Sequence, residues 1–198
     1  MITPDLEPDR VVALARAVVR GGAEVLQLRD KVLARGDLLA LARTLREVTS
    51  AAGALFIVND HLDLALLSRA DGVHLGPDDL SIASARRLAG DRLLIGASAS
   101  NAQTAMAVIA DGADYIGCGP AFATPLKPEK AVIGPKGVAA VAASLGPGVP
   151  VFAIGGINES NIGELTILGL RRACLVRAIG EAQDPETATR RLRAMLNG

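Results

Sequence analysis

The sequence predicts a single α/β domain over residues 1–198, folded as a (β/α)₈ or TIM barrel, and three observations carry this prediction. Short apolar runs alternate along the whole chain with longer segments whose apolar residues recur every three or four positions. The short runs are apolar nearly throughout, which is typical of parallel strands covered by helices on the outer face. No linker or low-complexity tract interrupts the alternation, and the length suits one domain.

The elements follow in order from these patterns. Val11, Leu14 and Val18 recur at helical spacing and predict the first helix, which a Gly-Gly pair ends. Seven strands are predicted at residues 25–28, 55–58, 72–75, 93–96, 115–118, 151–154 and 174–176. The later helices are predicted at about 37–52, 62–68, 81–89, 101–110, 136–145, 159–168 and from 185 onward. A closed barrel needs an eighth strand, and only residues 1–3 precede the first turn at Pro4, so the first strand is predicted to be very short or truncated.

Composition narrows the classes of partner. Acidic and basic residues balance at 21 each, so net charge gives no reason to expect a nucleic acid or a membrane as partner. Aromatic residues make up 2% of the chain and Trp is absent, which removes the stacking platforms of single-strand binders. No apolar run approaches the roughly 20 residues of a membrane span and no signal-peptide pattern is present, so a cytoplasmic protein is predicted. Oligomeric state stays open, a homo-oligomer included.

The two cysteines, Cys118 and Cys174, fit neither a metal-binding spacing nor a disulfide framework. They are predicted to be small buried apolar residues. His61 and His74 have no partner at ligand spacing in the sequence and are interpreted as structural histidines.

Polar residues follow two of the predicted strands. Gln27-Leu28-Arg29-Asp30-Lys31 ends the first apolar run, and Asn59-Asp60 ends the second. In a parallel barrel, active sites lie at this carboxyl edge. The side chains of Arg29 and Lys31 are cations that suit phosphate oxygens. Asp60 could share a divalent ion such as Mg²⁺ with Asp79, which follows the next strand. The alternative is that both aspartates cap helices.

Two further segments could handle phosphate. Gly155-Gly156 follows the strand at 151–154 and is predicted to lead into the helix at 159–168, whose amino terminus would present backbone N–H groups. The loop at 119–134 is long for a strand-to-helix connection and carries Thr124 and Lys127. The loop is either a functional lid or a solvated surface loop, and composition does not separate the two.

Taken in order, these segments resemble the thiamine phosphate synthase family over nearly the whole chain. The motifs that carry the resemblance are Gln27-Leu28-Arg29-Asp30-Lys31, Asn59-Asp60, Ala70-Asp71-Gly72-Val73-His74-Leu75-Gly76, Ala113-Asp114-Tyr115-Ile116-Gly117 with Gly119-Pro120, and Ala153-Ile154-Gly155-Gly156-Ile157. The resemblance implies a barrel enzyme that joins 4-amino-2-methyl-5-(diphosphooxymethyl)pyrimidine to a thiazole phosphate, with thiamine phosphate and pyrophosphate as products.

The resemblance also implies roles for individual residues, all of them toward small phosphorylated substrates. Asp60 and Asp79 would hold Mg²⁺. The remaining residues would bind the pyrimidine pyrophosphate (Gln27, Arg29, Lys31, Asn59, Ser98 and Lys127) or the thiazole phosphate (Thr124, Gly156, Val176 and Arg177).

Three positions depart from the family pattern. Leu126 stands where the family often has a second Thr, Pro77 stands where it has Gln, and Arg177 follows Val176 where the family usually has Ser. Arg177 could hold a phosphate by charge where serine would donate hydrogen bonds.

Other readings stay open beside the synthase. A thiazole tautomerase shares the barrel, but the position of that family's catalytic histidine is Ser100 here, and Asp60, which tautomerases tend to lose, is present. A non-catalytic thiazole-phosphate sensor would agree with Leu126 and Arg177, whereas retention of both aspartates and Lys31 favours catalysis. A barrel enzyme of tryptophan or histidine biosynthesis would not explain the segment from Gln27 to Lys31.

Overall fold

The computed structural model describes residues 1–125 and 131–198. Within these ranges, seven parallel strands form one sheet in the order of the sequence. The strands are β1 (Val25–Leu28), β2 (Leu55–Asn59), β3 (Gly72–Leu75), β4 (Leu94–Ala99), β5 (Tyr115–Cys118), β6 (Val151–Ile154) and β7 (Ala173–Cys174).

Helices follow the strands and cover the outside of the sheet. The described helices are α1 (Pro8–Arg20), α2 (Arg35–Ala52), α3 (Leu62–Leu67), α4 (Ile82–Ala89), α5 (Ala102–Ala110), α6 (Gly134–Leu145), α7 (Ile162–Ile167), α8 (Arg177–Gly180) and α9 (Pro185–Asn197), with a 3-10 turn at Gly90–Arg92. Of these described helices, none is long and apolar enough to cross a membrane.

Residues 1–3 act as the short first strand of the barrel. On one side, Gln27 N donates to Met1 O at 2.8 Å and Thr3 N donates to Gln27 O at 2.9 Å. On the other side, Ile2 N donates to Leu175 O at 3.0 Å, just beyond β7. The segment therefore bridges the two ends of the sheet, which confirms the prediction of a barrel with a very short first strand.

The main differences from the predicted elements concern β4, β7 and α8. β4 continues to Ala99 because its small residues pair in register with β5, as in Ser98 with Gly117 and Ala99 with Cys118. β7 has only the two residues Ala173 and Cys174, and the four-residue α8 after it was not predicted. Both of these elements are too short to produce a recognisable period in the sequence.

The core is built from aliphatic side chains between the sheet and the helices. Outward-facing strand residues such as Leu26, Val73 and Ile116 are fully buried. Cys118 belongs to this layer, and burial raises the pKa of its thiol to about 11. Cys174 is half-buried in the barrel wall, and burial likewise raises its pKa. Both thiols are free, and the prediction of a buried apolar residue is confirmed for Cys118.

Two equivalent aspartates tie the amino edge of the sheet to the helices. Asp71, just before β3, accepts hydrogen bonds from Phe56 N in β2 at 2.7 Å and from the Arg46 guanidinium on α2 at 2.6 Å. Asp114, just before β5, repeats the arrangement with Ile95 N in β4 and Arg86 on α4. These aspartates of the third and fourth resemblance motifs are thus structural and lie opposite the carboxyl edge.

Asp71→Ala is expected to lower the free energy of unfolding by about 2–3 kcal/mol, because it leaves a strand N–H and a half-buried guanidinium without their acceptor. The exposed carboxylate Glu159, which pairs with Arg191 at 3.2 Å, supplies the matched control. Glu159→Ala should cost no more than about 1 kcal/mol. Urea denaturation measures both values, and equal costs for the two variants would contradict the structural role of Asp71.

Candidate active site

The sequence-predicted site residues lie at the carboxyl edge of the sheet or in the upper part of its interior. Arg29 and Lys31 follow β1, Asn59 ends β2, and Asp60 comes directly after it. The remaining described residues belong to the later strands and loops, namely Gln27, Asp79, Ser98, Thr124, Gly156, Val176 and Arg177. Lys127 and Leu126 lie outside the described residues. Because the strands are all parallel, one edge collects residues that are more than 140 positions apart, from Arg29 to Arg177.

Asp60 and Asp79 form a close carboxylate pair. The pKa of Asp60 is raised, first by partial burial and then by a hydrogen bond to Asp79 and the charge of Asp79, while Lys31 and His61 oppose the shift. A second hydrogen bond fixes Asp79, whose Oδ2 accepts from Gly76 N at 2.7 Å. Two carboxylates that repel each other at an open edge form an arrangement that a cation would stabilise.

The helix-cap alternative for the two aspartates is wrong. The residue that caps α3 is His61, and the cap of α4 is Ser81, whose hydroxyl accepts from Ser84 N. Asp60 instead has a left-handed backbone with φ of 64°, held by a hydrogen bond from its N–H to His74 O at 2.8 Å. This backbone directs the residue out of the strand line, and Asp adopts it more readily than most side chains.

The donor set of this pair fits a hard divalent cation. Two carboxylates are the number that Mg²⁺ commonly takes from a protein, with water and substrate phosphate completing the shell. Among residues 1–125 and 131–198, no group of three or more His, Cys, Asp or Glu side chains is placed to hold a metal ion. The pair therefore suits a metal that is shared with a substrate better than a closed structural metal site.

The loop after β1 presents two cations. Asp30 shapes the loop, since its Oδ1 accepts from Val32 N at 2.8 Å and Leu33 N at 2.7 Å. The Arg29 backbone is fixed by Thr3, whose hydroxyl both accepts from Arg29 N and donates to Arg29 O. The Arg29 guanidinium lies 3.7 Å from the Asp5 carboxylate, while Lys31 is exposed. Arg29 and Lys31 are thus the two cations that this motif presents, and Asp30 shapes the loop that carries them.

The Gly155-Gly156 turn packs against the loop that follows β5. Both glycines have positive φ, 100° and 63°, and Phe122 N donates to Gly155 O at 3.0 Å. A Cβ at Gly156 would lie 2.4 Å from Ala123 O, so only glycine permits this approach. The close contact places the turn beside Thr124.

The helix predicted at 159–168 begins later than expected. α7 begins only at Ile162, because asparagine side chains bind the backbone of the intervening turn. Asn161 Nδ2 donates to Gly156 O at 2.9 Å, and Asn161 Oδ1 accepts from Asn158 N at 2.9 Å. Such side-chain bonds compete with helix formation. Any anion at this turn would therefore meet loop N–H groups and not a helix amino terminus.

The last two residues predicted to bind phosphate lie at the start of α8. Val176 precedes the helix, and Arg177 is its first residue. The Arg177 guanidinium makes a bidentate pair with Glu181, with Nε–Oε1 at 2.7 Å and Nη2–Oε2 at 3.0 Å. The structure thus gives this cation an acidic partner that the sequence analysis did not anticipate.

A cavity of about 330 Å³ occupies the interior of the barrel. Its lining reaches the amino edge of the sheet, at Glu24 and Asp114. In the interior, polar groups come from Gln27, His74, Ser98 and Tyr115. Gln27 is 6% exposed, and its Oε1 is the one buried side-chain polar atom of the described residues that lacks a hydrogen-bond partner. A buried acceptor without a partner, in a residue that lines a cavity, indicates a ligand with a donor group.

His74 and Tyr115 lie beside Ser98 in the cavity lining, a position that was not predicted. His74 Nε2 lies 3.0 Å from Ser98 Oγ, and Nδ1 lies 3.3 Å from Tyr115 Oη. The signal that could have found them is the pair of strand glycines, Gly96 and Gly117. A Cβ on these glycines would lie 2.0 Å from the Tyr115 ring and 3.1 Å from the His74 ring, respectively. Glycine inside a strand often marks such a close approach.

Comparison with known proteins assigns a family to this arrangement. The family model described as thiamine monophosphate synthase matches residues 1–179. The thiamine-phosphate synthase of Thermobifida fusca is 46% identical over 181 residues, 91% of this chain and 83% of that protein. The thiamine-phosphate synthase of Thermosynechococcus vestitus is 44% identical over 189 residues, 96% of this chain and 53% of that protein. This chain therefore spans about half the length of several curated relatives that it matches.

Solved structures give the same result for the fold. Thiamine phosphate pyrophosphorylase from Pyrococcus furiosus superposes with a TM-score of 0.90 at 35% identity, covering 99% of this chain and 93% of that one. A 3-hexulose-6-phosphate synthase superposes with a TM-score of 0.74 at 19% identity, a likeness that concerns the barrel alone.

Proposed function

Because the chain belongs to the thiamine monophosphate synthase family, we propose that it forms thiamine phosphate and pyrophosphate from 4-amino-2-methyl-5-(diphosphooxymethyl)pyrimidine and a thiazole phosphate. The observation that carries the proposal is the Asp60–Asp79 pair beside Lys31 at the carboxyl edge of the barrel. Two carboxylates and a lysine that lie together, Asp60, Asp79 and Lys31, favour a site that stabilises a departing pyrophosphate through a bound metal ion and direct charge.

The pyrophosphate half of the reaction would be served by the loops after β1 and β2. Arg29 and Lys31 would donate to the phosphate oxygens, with Asn59 and Lys127 as further ligands. Asp60 and Asp79 would hold Mg²⁺, which when bound would neutralise part of the charge of the leaving group. The carbon–oxygen bond to the pyrophosphate breaks, and its electron pair leaves with the pyrophosphate oxygen.

The carbon–nitrogen bond then forms from the lone pair of the thiazole nitrogen. This order needs no nucleophile from the protein, which agrees with two cysteines whose pKa is raised by burial. The protein contributes position, because a phosphate anchored at Thr124, Gly156, Val176 and Arg177 would hold the thiazole over the reacting carbon. Gln27 and Ser98 would hold the pyrimidine ring inside the cavity.

Both substrates carry phosphate charges and do not cross a lipid bilayer unaided. This supports a cytoplasmic site of action, with small phosphorylated molecules as partners.

The proposal is tested by incubating the purified chain with the two substrates and measuring thiamine phosphate by chromatography. Product formation supports the synthase. Binding of the thiazole phosphate without product from a folded sample would contradict it and would favour the sensor alternative.

Arg177→Ser is expected to raise the Kd of the thiazole phosphate about 5- to 20-fold, because it removes a charged hydrogen-bond donor from the start of α8. Glu181→Gln is the matched control, since it removes the partner of Arg177 and keeps the cation. Its Kd should be unchanged or lower. Calorimetric titration measures both values, and an unchanged Kd for Arg177→Ser would contradict the phosphate role.

A further inference from the structure

Three polar side chains form a line across the interior of the barrel. Tyr115 in β5 reaches His74 Nδ1 in β3 at 3.3 Å, and His74 Nε2 reaches Ser98 Oγ in β4 at 3.0 Å. All three line the central cavity together with Gln27. The direction of the hydrogen bonds along this line decides what Ser98 offers to a ligand.

Tyr115 sets the direction. His74 Nδ1 is the one hydrogen-bond partner of Tyr115 Oη among residues 1–125 and 131–198. Burial raises the pKa of the phenol, so the hydroxyl keeps its proton. If Tyr115 accepted from His74, its own O–H would have no acceptor among the described residues, which is the more costly arrangement. Tyr115 therefore donates, and His74 Nδ1 accepts.

The tautomer of His74 follows from the hydrogen bond at Nδ1. A ring whose Nδ1 accepts is neutral and carries its proton on Nε2. His74 Nε2 then donates to Ser98 Oγ, and the hydrogen of the Ser98 hydroxyl is left to point elsewhere. The Ser98 side chain has no other hydrogen-bond partner among the described residues, so its proton is available to the cavity.

Gln27 supplies the complementary group. Gln27 lines the same cavity, and its Oε1 is a buried acceptor without a partner among the described residues. One donor and one acceptor match the edge of an aminopyrimidine, in which a ring nitrogen accepts and the neighbouring amino group donates. In its main lactam form, an oxopyrimidine presents the reverse pattern, with a ring N–H beside a carbonyl oxygen.

We propose that Tyr115 and His74 are positioning residues that fix the Ser98 hydroxyl as a hydrogen-bond donor, so that the barrel selects an aminopyrimidine against the corresponding oxopyrimidine. This inference rests on the proposed function, which identifies the ligand of the cavity as a pyrimidine. The selection depends on Ser98, because the Gln27 carboxamide can rotate to present either its oxygen or its nitrogen.

The test measures the Kd of the amino and 4-oxo forms of the pyrimidine diphosphate by calorimetry, which needs no turnover. The wild-type chain should prefer the amino form about 1,000-fold or more, as sites built around a fixed hydrogen bond do. Tyr115→Phe keeps the ring, which contacts Phe152 edge-on at 5.6 Å, and removes the hydroxyl. Without that donor both neutral tautomers of His74 are available, and the preference should fall about 10- to 100-fold.

Phe152→Leu is the control, because it disturbs the same aromatic contact and keeps the hydroxyl. It should weaken both ligands equally and leave the preference intact. An unchanged preference in Tyr115→Phe, or an equal loss of preference in Phe152→Leu, would overturn the positioning role of Tyr115 and His74. Failure of the wild-type chain to prefer the amino form would also overturn it.

Thiamine phosphate formation, measured separately, distinguishes this inference from the proposed function. Product from the wild-type chain with an unchanged preference in Tyr115→Phe would overturn the positioning role and still support the synthase function. A lowered preference in Tyr115→Phe, without any product from the wild-type chain, would support the positioning role and contradict the synthase function.

Discussion

Asp60→Asn is expected to lower kcat on the order of 1,000-fold, because it removes one of the two carboxylates proposed to hold Mg²⁺ beside the leaving group. Asparagine is the sharpest replacement, since it accepts the left-handed backbone of Asp60 at φ of 64°. Alanine would add a backbone cost to the loss of charge. Steady-state kinetics with saturating substrates measures the effect.

Stability separates a functional loss from a folding defect. Asp60 and Asp79 repel each other in the folded chain, so Asp60→Asn should not lower the midpoint of urea denaturation. The control is Asp78→Asn, an exposed carboxylate in the loop that carries Asp79, and it should keep near-normal kcat. Equal activity in the two variants would contradict the metal role of Asp60.

Gly156→Ala is expected to raise the KM for the thiazole phosphate about 10- to 100-fold, since it displaces the turn from its contact with the loop before Thr124. The added Cβ would lie 2.4 Å from Ala123 O and 2.9 Å from Phe122 Cβ, so the backbone must move. The free energy of unfolding should fall by about 2–3 kcal/mol. Kinetics with varied thiazole phosphate and urea denaturation give the two values.

Gly53→Ala isolates the cost of the backbone conformation. Gly53 has a similar φ of 69° at the end of α2, with nothing within 4 Å of an added Cβ. Its substitution should cost about 1 kcal/mol and leave KM unchanged. A Gly156→Ala variant that behaves like Gly53→Ala would show that the close contact with Ala123 is unimportant.

The sequence predicts the architecture because the strands are continuous apolar runs with turns at each end. It also predicts the meeting of Asp60 and Asp79, since residues just beyond neighbouring parallel strands must lie close together. Residues 1–3 are a further case, because a closed barrel requires a strand there whatever its length.

Other features depend on tertiary contacts that leave no local pattern. The Asn161 side chain delays α7, and the pairing with β5 extends β4 through small residues. The line from Tyr115 to Ser98 joins three strands, so only the register reveals it. Glu181 lies four residues after Arg177, a spacing that pairs side chains only if a helix forms, and α8 was not predicted.

The central claim is that the Asp60–Asp79 edge, loaded with Mg²⁺, forms thiamine phosphate. The most direct test is the rate of thiamine phosphate formation from the two purified substrates with Mg²⁺, with EDTA, and after Mg²⁺ is restored. Product is expected with Mg²⁺, loss of product with EDTA, and recovery when Mg²⁺ is restored. Product at an unchanged rate in EDTA, or no product under any of the three conditions from a folded sample, would contradict the claim.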